Sequence, residues 1–240
     1  MRGPDGCPWD RVQTHESLRP YLAEEAAEAL EALHDGDPAL VCEELGDLLF
    51  QILIHVQLAE ERGDFKMADV VYGLASKLVR RHPHVFADAT AETPDAVIEQ
   101  WDDLNSKERG ERSALSGIPT GLAALARAQA MLRRATKAGL GFKWETEEQV
   151  WVNLRAELDE LQKAKTPEER AIEAGDALFT LVNVIRHYGI DAEDALRMTN
   201  RVYVKRFSAA ESLAREREID LRAAELEEKV ALWEEAKAAG

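Results

Sequence analysis

The sequence predicts an all-α chain made of tandem duplicated helical units, and three observations lead there. Long Ala/Leu/Glu/Arg stretches favour helix. Aromatic residues are 6% of the chain and Thr/Val/Ile clusters are sparse, so no stretch reads as an alternating strand. The chain also repeats itself. Leu22-Ala23-Glu24-Glu25-Ala26-Ala27-Glu28 matches Leu154-Arg155-Ala156-Glu157-Leu158-Asp159-Glu160. The stretch from Cys42 to Phe50 lines up with Ile172 to Phe179 when Glu44 is set on Glu173. Val97-Ile98-Glu99-Gln100-Trp101 pairs with Val230-Ala231-Leu232-Trp233. Glu25 lies 132 residues before Glu157, Asp47 lies 129 before Asp176, and Trp101 lies 132 before Trp233. Matches in one order at nearly one offset point to duplication, with the slippage placed in loops, where insertions cost little.

The expected organisation is a first unit at residues 1–110, a linker at 111–119 and a second unit at 120–240. The breaker cluster Ser116-Gly117-Ile118-Pro119-Thr120-Gly121 marks the join. The first helix opens at Ser17-Leu18-Arg19-Pro20 and runs to about Leu33, where His34-Asp35-Gly36-Asp37-Pro38 stops it. The second covers about Ala39 to Arg62, with Leu45, Leu48, Leu49, Ile52 and Val56 as its buried stripe. The very short connection makes these two antiparallel neighbours. Further helices are expected at about Lys66–Arg80 and Pro94–Lys107. Thr120–Lys137 leads into the second unit, followed by about Glu147–Lys163, Pro167–His187, Ala192–Arg217 and Leu221–Lys237. The first unit has no counterpart to Thr120–Lys137, which is expected to leave an apolar groove for another chain to fill.

Composition narrows the function. The 240 residues are 45% hydrophobic, enough for one large core or two small ones. No apolar run reaches membrane-spanning length, and Met1-Arg2-Gly3-Pro4-Asp5 is no signal core. The two cysteines, Cys7 and Cys42, form no CxxC, which points to a reducing cytoplasm without a disulfide framework. The net charge of −16 repels polyanions, so a nucleic-acid partner is not expected. A small phosphorylated ligand would need a metal or local cations.

Glu24, Glu25 and Glu28 share one helical face, and Glu44 and Asp47 share a face of the partner helix. Antiparallel packing brings Glu25, Glu28, Glu44 and Asp47 towards one point, where converging carboxylates need a counter-cation. All-oxygen ligands suit Mg²⁺, Mn²⁺ or Ca²⁺ rather than zinc. Gly46, lacking a side chain, allows close approach there. A lone ExxE is usually a solvated face; what argues for a site is its recurrence as Glu157, Glu160, Glu173 and Asp176. Basic residues follow each tetrad: Lys77, Arg80 and Arg81, then Arg201, Lys205 and Arg206. They read either as phosphate clamps or as helix-end cations favoured by the dipole. His82 and His84, flanking Pro83 in a turn, suit capping or packing better than metal binding.

The paired EExxE and ExxD motifs, the Gly6-Cys7-Pro8-Trp9-Asp10 opening and the Arg80-Arg81-His82-Pro83-His84-Val85-Phe86 segment resemble the MazG family of two-domain nucleoside triphosphate pyrophosphohydrolases. The similarity covers essentially the whole chain. It implies MazG-like four-helix bundles formed by dimerisation, hence a homodimer. It also implies Mg²⁺ (or Mn²⁺) as cofactor and nucleoside triphosphates as substrates, hydrolysed to monophosphate and pyrophosphate with broad base tolerance in a house-cleaning role. Glu24 or Glu25 would then take the proton of the attacking water. In relatives of this layout the second domain is assigned the hydrolysis. Here its copy departs from the pattern, with Ala156 for the first Glu of EExxE, and Asn153 and Val202 where lysine is usual. It keeps Asn183 and the nearby Phe142, Lys143 and Trp144. The first copy has the fuller acidic set and Lys77, but Ile54 where the second has Asn183, so the residues lean slightly to the first. Two other readings stand beside this one. The first is a narrower dUTPase-like or phosphoribosyl-ATP pyrophosphohydrolase-like enzyme. The second is a non-catalytic helical nucleotide-binding or interaction protein.

Overall fold

The structure is a computed structural model that describes residues 1–94, 96–98, 100–101, 112–140 and 146–238. Among the described residues every regular element is a helix. The chain divides into two compact units, Met1–Asn105 and Ser106–Gly240.

The first unit contains α1 (Pro8–Arg11), α2 (His15–Asp35), α3 (Pro38–Arg62), α4 (Met67–Arg81) and α5 (Pro83–Phe86). Helix α2 starts two residues before the expected Ser17, because Thr14 and Ser17 cap it reciprocally. Thr14 Oγ1 accepts from Ser17 N at 3.1 Å, and Ser17 Oγ accepts from Thr14 N at 2.9 Å. Pro20 therefore lies inside the helix, where its missing N–H removes a single backbone bond. Gly36 ends α2 with φ 73°, and Asp37 Oδ1 then accepts from Ala39 N at 3.0 Å to start α3. Only Gly36 and Asp37 separate the helices, so α2 and α3 pack as an antiparallel hairpin. Leu18, Ile54 and Leu58 form its apolar core, and buried Ala29, Ala32 and Ala59 let the helices close up. Arg2 grips Glu61 through two nitrogens and tethers the leading segment to the end of α3.

The expected stripe on α3 is only partly buried. Val56 is in the core and Leu48 is half-buried, but Leu45, Leu49 and Ile52 are 48%, 53% and 43% exposed. The buried residues of α3 are Gln51, Ile54, Val56, Leu58 and Ala59, and Ile54 and Leu58 among them meet Leu18 of α2. Helix α4 goes further: none of its 15 residues is buried, although it carries Val70, Val71, Leu74, Leu78 and Val79. It packs lightly on α3 and against α5. The helix expected over Pro94–Lys107 falls partly outside the described residues; those described between 94 and 101 are helical, and Thr93 Oγ1 accepts from Ala96 N.

The second unit contains α6 (Ala124–Lys137), α7 (Glu147–Lys163), α8 (Pro167–His187), α9 (Ala192–Glu216) and α10 (Leu226–Ala238). Thr146 with Gln149 and Thr166 with Glu169 form the caps of α7 and α8, and Pro167 takes the first position of α8. These helices repeat the hairpin, with Val150, Leu154 and Val184 as its core. Helix α6 starts four residues after the expected Thr120 and covers α8 and α9, joining Leu132 to Val182 and Ala192, with Phe179 packed alongside. Gln129 pins the α8–α9 turn by donating to the Ile190 carbonyl at 3.0 Å and accepting from Ala192 N at 2.8 Å. Helix α10 begins at Leu226 rather than Leu221, because Asp220 gathers Arg222 N, Ala223 N and Ala224 N into a separate turn. The positions of α3 that match Phe179 and Val182 are Phe50 and Leu53, which are 36% and 46% exposed. Among the described residues no helix is long and apolar enough to cross a membrane.

Candidate metal centres on two helix hairpins

Each hairpin gathers carboxylates. Glu25 and Glu28 on α2 meet Glu44 on α3, with one oxygen of each within 4.8 Å of the others. Glu157 and Glu160 on α7 meet Glu173 on α8 within the same limit. In each trio the second glutamate is exposed and the other two are half-buried. The three-residue spacing puts the α2 and α7 pairs on one face each, and the tight hairpin turns that face towards the partner helix.

Asp47 and Asp176 stand outside these close trios but within their electrostatic reach. Burial pushes the Glu25 carboxyl above its ordinary value, and the charges of Asp47 and Glu28 push the same way. Burial likewise raises Glu44, helped by Glu28 and Asp47. Glu157 is raised by burial and then by Glu160, Asp176 and Glu173. No lysine or arginine is among the charges that set these shifts. Like charges are thus held together in each cluster; in the second, the Lys163 ammonium acts on Glu160 from the end of α7. Half-buried, all-oxygen donor sets of this kind fit a hard divalent cation.

The acidic clusters are therefore possible metal sites, and the units differ around them. Glu24 precedes Glu25 on α2 and is exposed; Ala156 takes that place on α7. Gln51, 6% exposed, donates from Nε2 to Glu25 Oε1 at 3.4 Å. Sequence reading passed over Gln51, yet it sits four residues after Asp47 and seven after Glu44, on the same face, and breaks the run Leu48-Leu49-Phe50-Gln51-Ile52-Leu53-Ile54. Gly46 does not mark a close approach within the chain. A Cβ built there, or on Gly175, meets nothing within 4 Å, because both face open space.

Lys77, Arg80 and Arg81 ride on α4, which leans only lightly on α3; Arg201, Lys205 and Arg206 ride on α9, whose main partners are α6 and α10. Lys77, Arg80 and Lys205 are exposed, and Arg81, Arg201 and Arg206 are half-buried. Asn183 is 3% exposed, and its Oδ1 accepts from Arg186 Nη2 at 2.8 Å. Trp144, Phe142 and Lys143 lie outside the described residues. His82 and His84 act locally: His82 Nδ1 meets the Leu78 carbonyl at 2.7 Å, His84 Nδ1 meets Gln100 Oε1 at 2.9 Å, and the His82 ring packs edge-on to Trp101. A second histidine pair was not anticipated. His15 and His55 stack with Nδ1 atoms 2.8 Å apart, and His55 holds the place that Val184 fills in the other hairpin core.

Residues 13–86 match the family model of the MazG nucleotide pyrophosphohydrolase domain. The chain is 41% identical over 239 residues to the nucleoside triphosphate pyrophosphohydrolase/pyrophosphatase MazG of Thermotoga maritima, covering 99% of this chain and 91% of that one. It is 38% identical over 250 residues to the nucleoside triphosphate pyrophosphohydrolase of Escherichia coli K12, covering 99% and 93%. It is also 42% identical over 241 residues to the uncharacterized protein YabN of Bacillus subtilis, covering 99% of this chain and 49% of that one. Near-complete coverage at such identity settles kinship, and the chain belongs to the MazG family.

Proposed function

We propose that the chain hydrolyses nucleoside triphosphates to monophosphates and pyrophosphate as a homodimer, with Mg²⁺ as cofactor, Mn²⁺ as its substitute, and the first unit as the main catalytic site. The observation that carries this reading is the convergence of Glu25, Glu28 and Glu44, with Asp47 close by. These four residues, and Glu157, Glu160, Glu173 and Asp176 in the second unit, would hold the metal. When bound, Mg²⁺ supplies positive charge to the triphosphate and acidifies water.

The chain's own groups supply the rest. Glu24 is exposed beside the cluster and accepts the proton of the attacking water, with Glu25 as the other carboxylate in reach. Water adds to the α-phosphorus, the bond to the bridging oxygen breaks, and pyrophosphate leaves with that electron pair. Lys77, Arg80 and Arg81 offset the charge on the leaving group, as Lys205 and Arg206 would in the second unit. Asn183 and Trp144 are assigned to the nucleotide in that second unit. Ala156 removes the equivalent of Glu24 there, which favours metal and nucleotide binding over turnover.

The apolar faces support the dimer. No residue of α4 is fully buried within its own chain, Phe50 and Leu53 of α3 stand exposed where α6 packs on Phe179 and Val182 of α8, and Leu45, Leu49 and Ile52 are exposed beside them. A second copy of the first unit offers the same faces in return, completes a four-helix bundle and carries the α4 cations into a shared site.

The test is pyrophosphate release over a panel of triphosphates, run on Glu44→Gln and Glu173→Gln separately. Glu44→Gln is expected to lower the rate by about 100-fold or more, and Glu173→Gln by less than about 3-fold. An unchanged rate in Glu44→Gln would sink the assignment to the first unit, and hydrolysis of a single nucleotide would replace the broad range with a narrow one.

A further inference from the structure

We propose that Gln51 is a positioning residue of the first centre, which fixes the Glu25 carboxylate for metal and so sets the first unit apart from the second. This rests on the reading of the first tetrad as a metal site.

The side chain of Gln51 is nine-tenths buried in the α2–α3 hairpin, and its Nε2 donates to Glu25 Oε1. Its Oε1 is buried without a hydrogen-bond partner. A buried amide left half-paired is costly, and an apolar residue of similar volume would avoid that cost. The cost makes sense if the amide does something for the group it touches. The Gln51 amide reaches Glu25 Oε1 from α3, across the hairpin, and restrains that carboxylate. A charged, fixed carboxylate is what a metal ligand must be, and outer partners that orient ligands contribute much of a site's affinity.

The second unit shows the centre without this device. Four residues after Asp176, where Gln51 follows Asp47, stands Thr180. Its side chain is shorter than that of Gln51, and among the described residues no side chain donates to Glu157.

The experiment uses the full chain and Mn²⁺ alone, with free Mn²⁺ read from its paramagnetic resonance signal and no nucleotide present. In a Glu173→Gln background, which silences the second unit, Gln51→Met is expected to weaken Mn²⁺ binding by about 10-fold or more. It should lower kcat by a similar factor, leave KM for the triphosphate within about 2-fold, and leave the metal-free melting temperature no lower. Mn²⁺ binding and kcat equal to the parent would overturn the proposal. Glu28→Gln in the same background separates the two ideas, since a full-strength Mn²⁺ site in that variant means that the tetrad itself has been misread. A transplant guards against a variant that fails to fold. In a Glu44→Gln background, Thr180→Gln is expected to tighten Mn²⁺ binding by the second unit by several-fold, and unchanged binding there counts against the proposal.

Discussion

The two hairpins hold the same three glutamates in the same close cluster, yet the residues around those clusters differ. In the first, Glu24 flanks the cluster, Gln51 is buried against Glu25, and a histidine pair occupies the core. In the second, the matching positions are Ala156, Thr180 and Val184, and the core is aliphatic. The second hairpin is also covered: α6 lies over Phe179 and Val182, and α9 closes against α10. The first leaves Phe50 and Leu53 exposed, and no residue of α4 is fully buried within its chain. Polar groups in a core and bare apolar faces both reduce the stability of an isolated unit. The proposed assignment of hydrolysis to the first unit gives that asymmetry a purpose, and it can be tested.

The sharpest way to break the comparison is to exchange the residue that most separates the centres. Glu24→Ala gives the first copy the second copy's residue, and removing a general base costs about 10²–10⁴ in rate. We expect kcat to fall by about 100-fold or more while Mn²⁺ binding is retained, because Glu25, Glu28 and Glu44 remain. The reciprocal Ala156→Glu, made in Glu24→Ala, is expected to restore a measurable fraction of activity. Pyrophosphate release and Mn²⁺ titration on the same samples decide the matter; a Glu24→Ala enzyme with full kcat shifts the proton transfer to Glu25.

How far the sequence leads also differs between the units. The all-helical class, the hairpins and the meeting of three glutamates in each hairpin follow from spacing, since three- and four-residue intervals fix a face and a short turn fixes the partner. Burial was harder to read. The stripe Leu45, Leu49 and Ile52 looks like core by periodicity, but periodicity cannot say whether an apolar face meets its own chain or another. Gln51 was legible in principle as a polar break in an apolar run on the acidic face. The His15–His55 contact was not, because 40 residues separate its members and only tertiary packing brings them together. Helix starts were misjudged where a cap outranked a proline, as at Thr14 and Pro20.

The exposed faces yield the next effect in size. Leu49→Glu and Leu74→Glu place charges on surfaces that are 53% and 54% exposed within one chain, so each unit should still fold. At a dimer interface the same changes bury an unpaired charge. We expect light scattering to show a shift from dimer to monomer, with a loss of activity of about 10-fold or more that tracks dissociation. Leu178→Glu on α8, 55% exposed in the unit that α6 already covers, is the companion variant and is expected to matter less. Wild-type activity in a monomeric Leu49→Glu would show that the first centre is complete within one chain.

The smallest effect concerns pH. His55 is held below its ordinary value of 6.5 by burial first and by His15 second. Its Nε2 is buried without a partner, and its Nδ1 faces His15 Nδ1 at 2.8 Å, so one ring must accept while the other donates. A second proton on the pair would set two N–H groups head-on. The unfolded chain therefore takes up the His55 proton before the folded chain does. Stability is full above about pH 6.5 and is lost as pH falls from there through the lowered folded value, with a slope of at most about 1.4 kcal/mol per pH unit for one proton. The raised carboxylates Glu25, Glu44 and Glu157 act with the opposite sign, since stability falls as pH rises through their folded values. A difference between variants is needed to isolate the histidine. His55→Val installs the residue that the second hairpin uses, and it should flatten the fall in melting temperature between pH 7 and pH 5 on the order of a few degrees. If parent and variant lose stability in parallel over that range, the pair is a packing contact, and the contrast between the two cores has no consequence for pH.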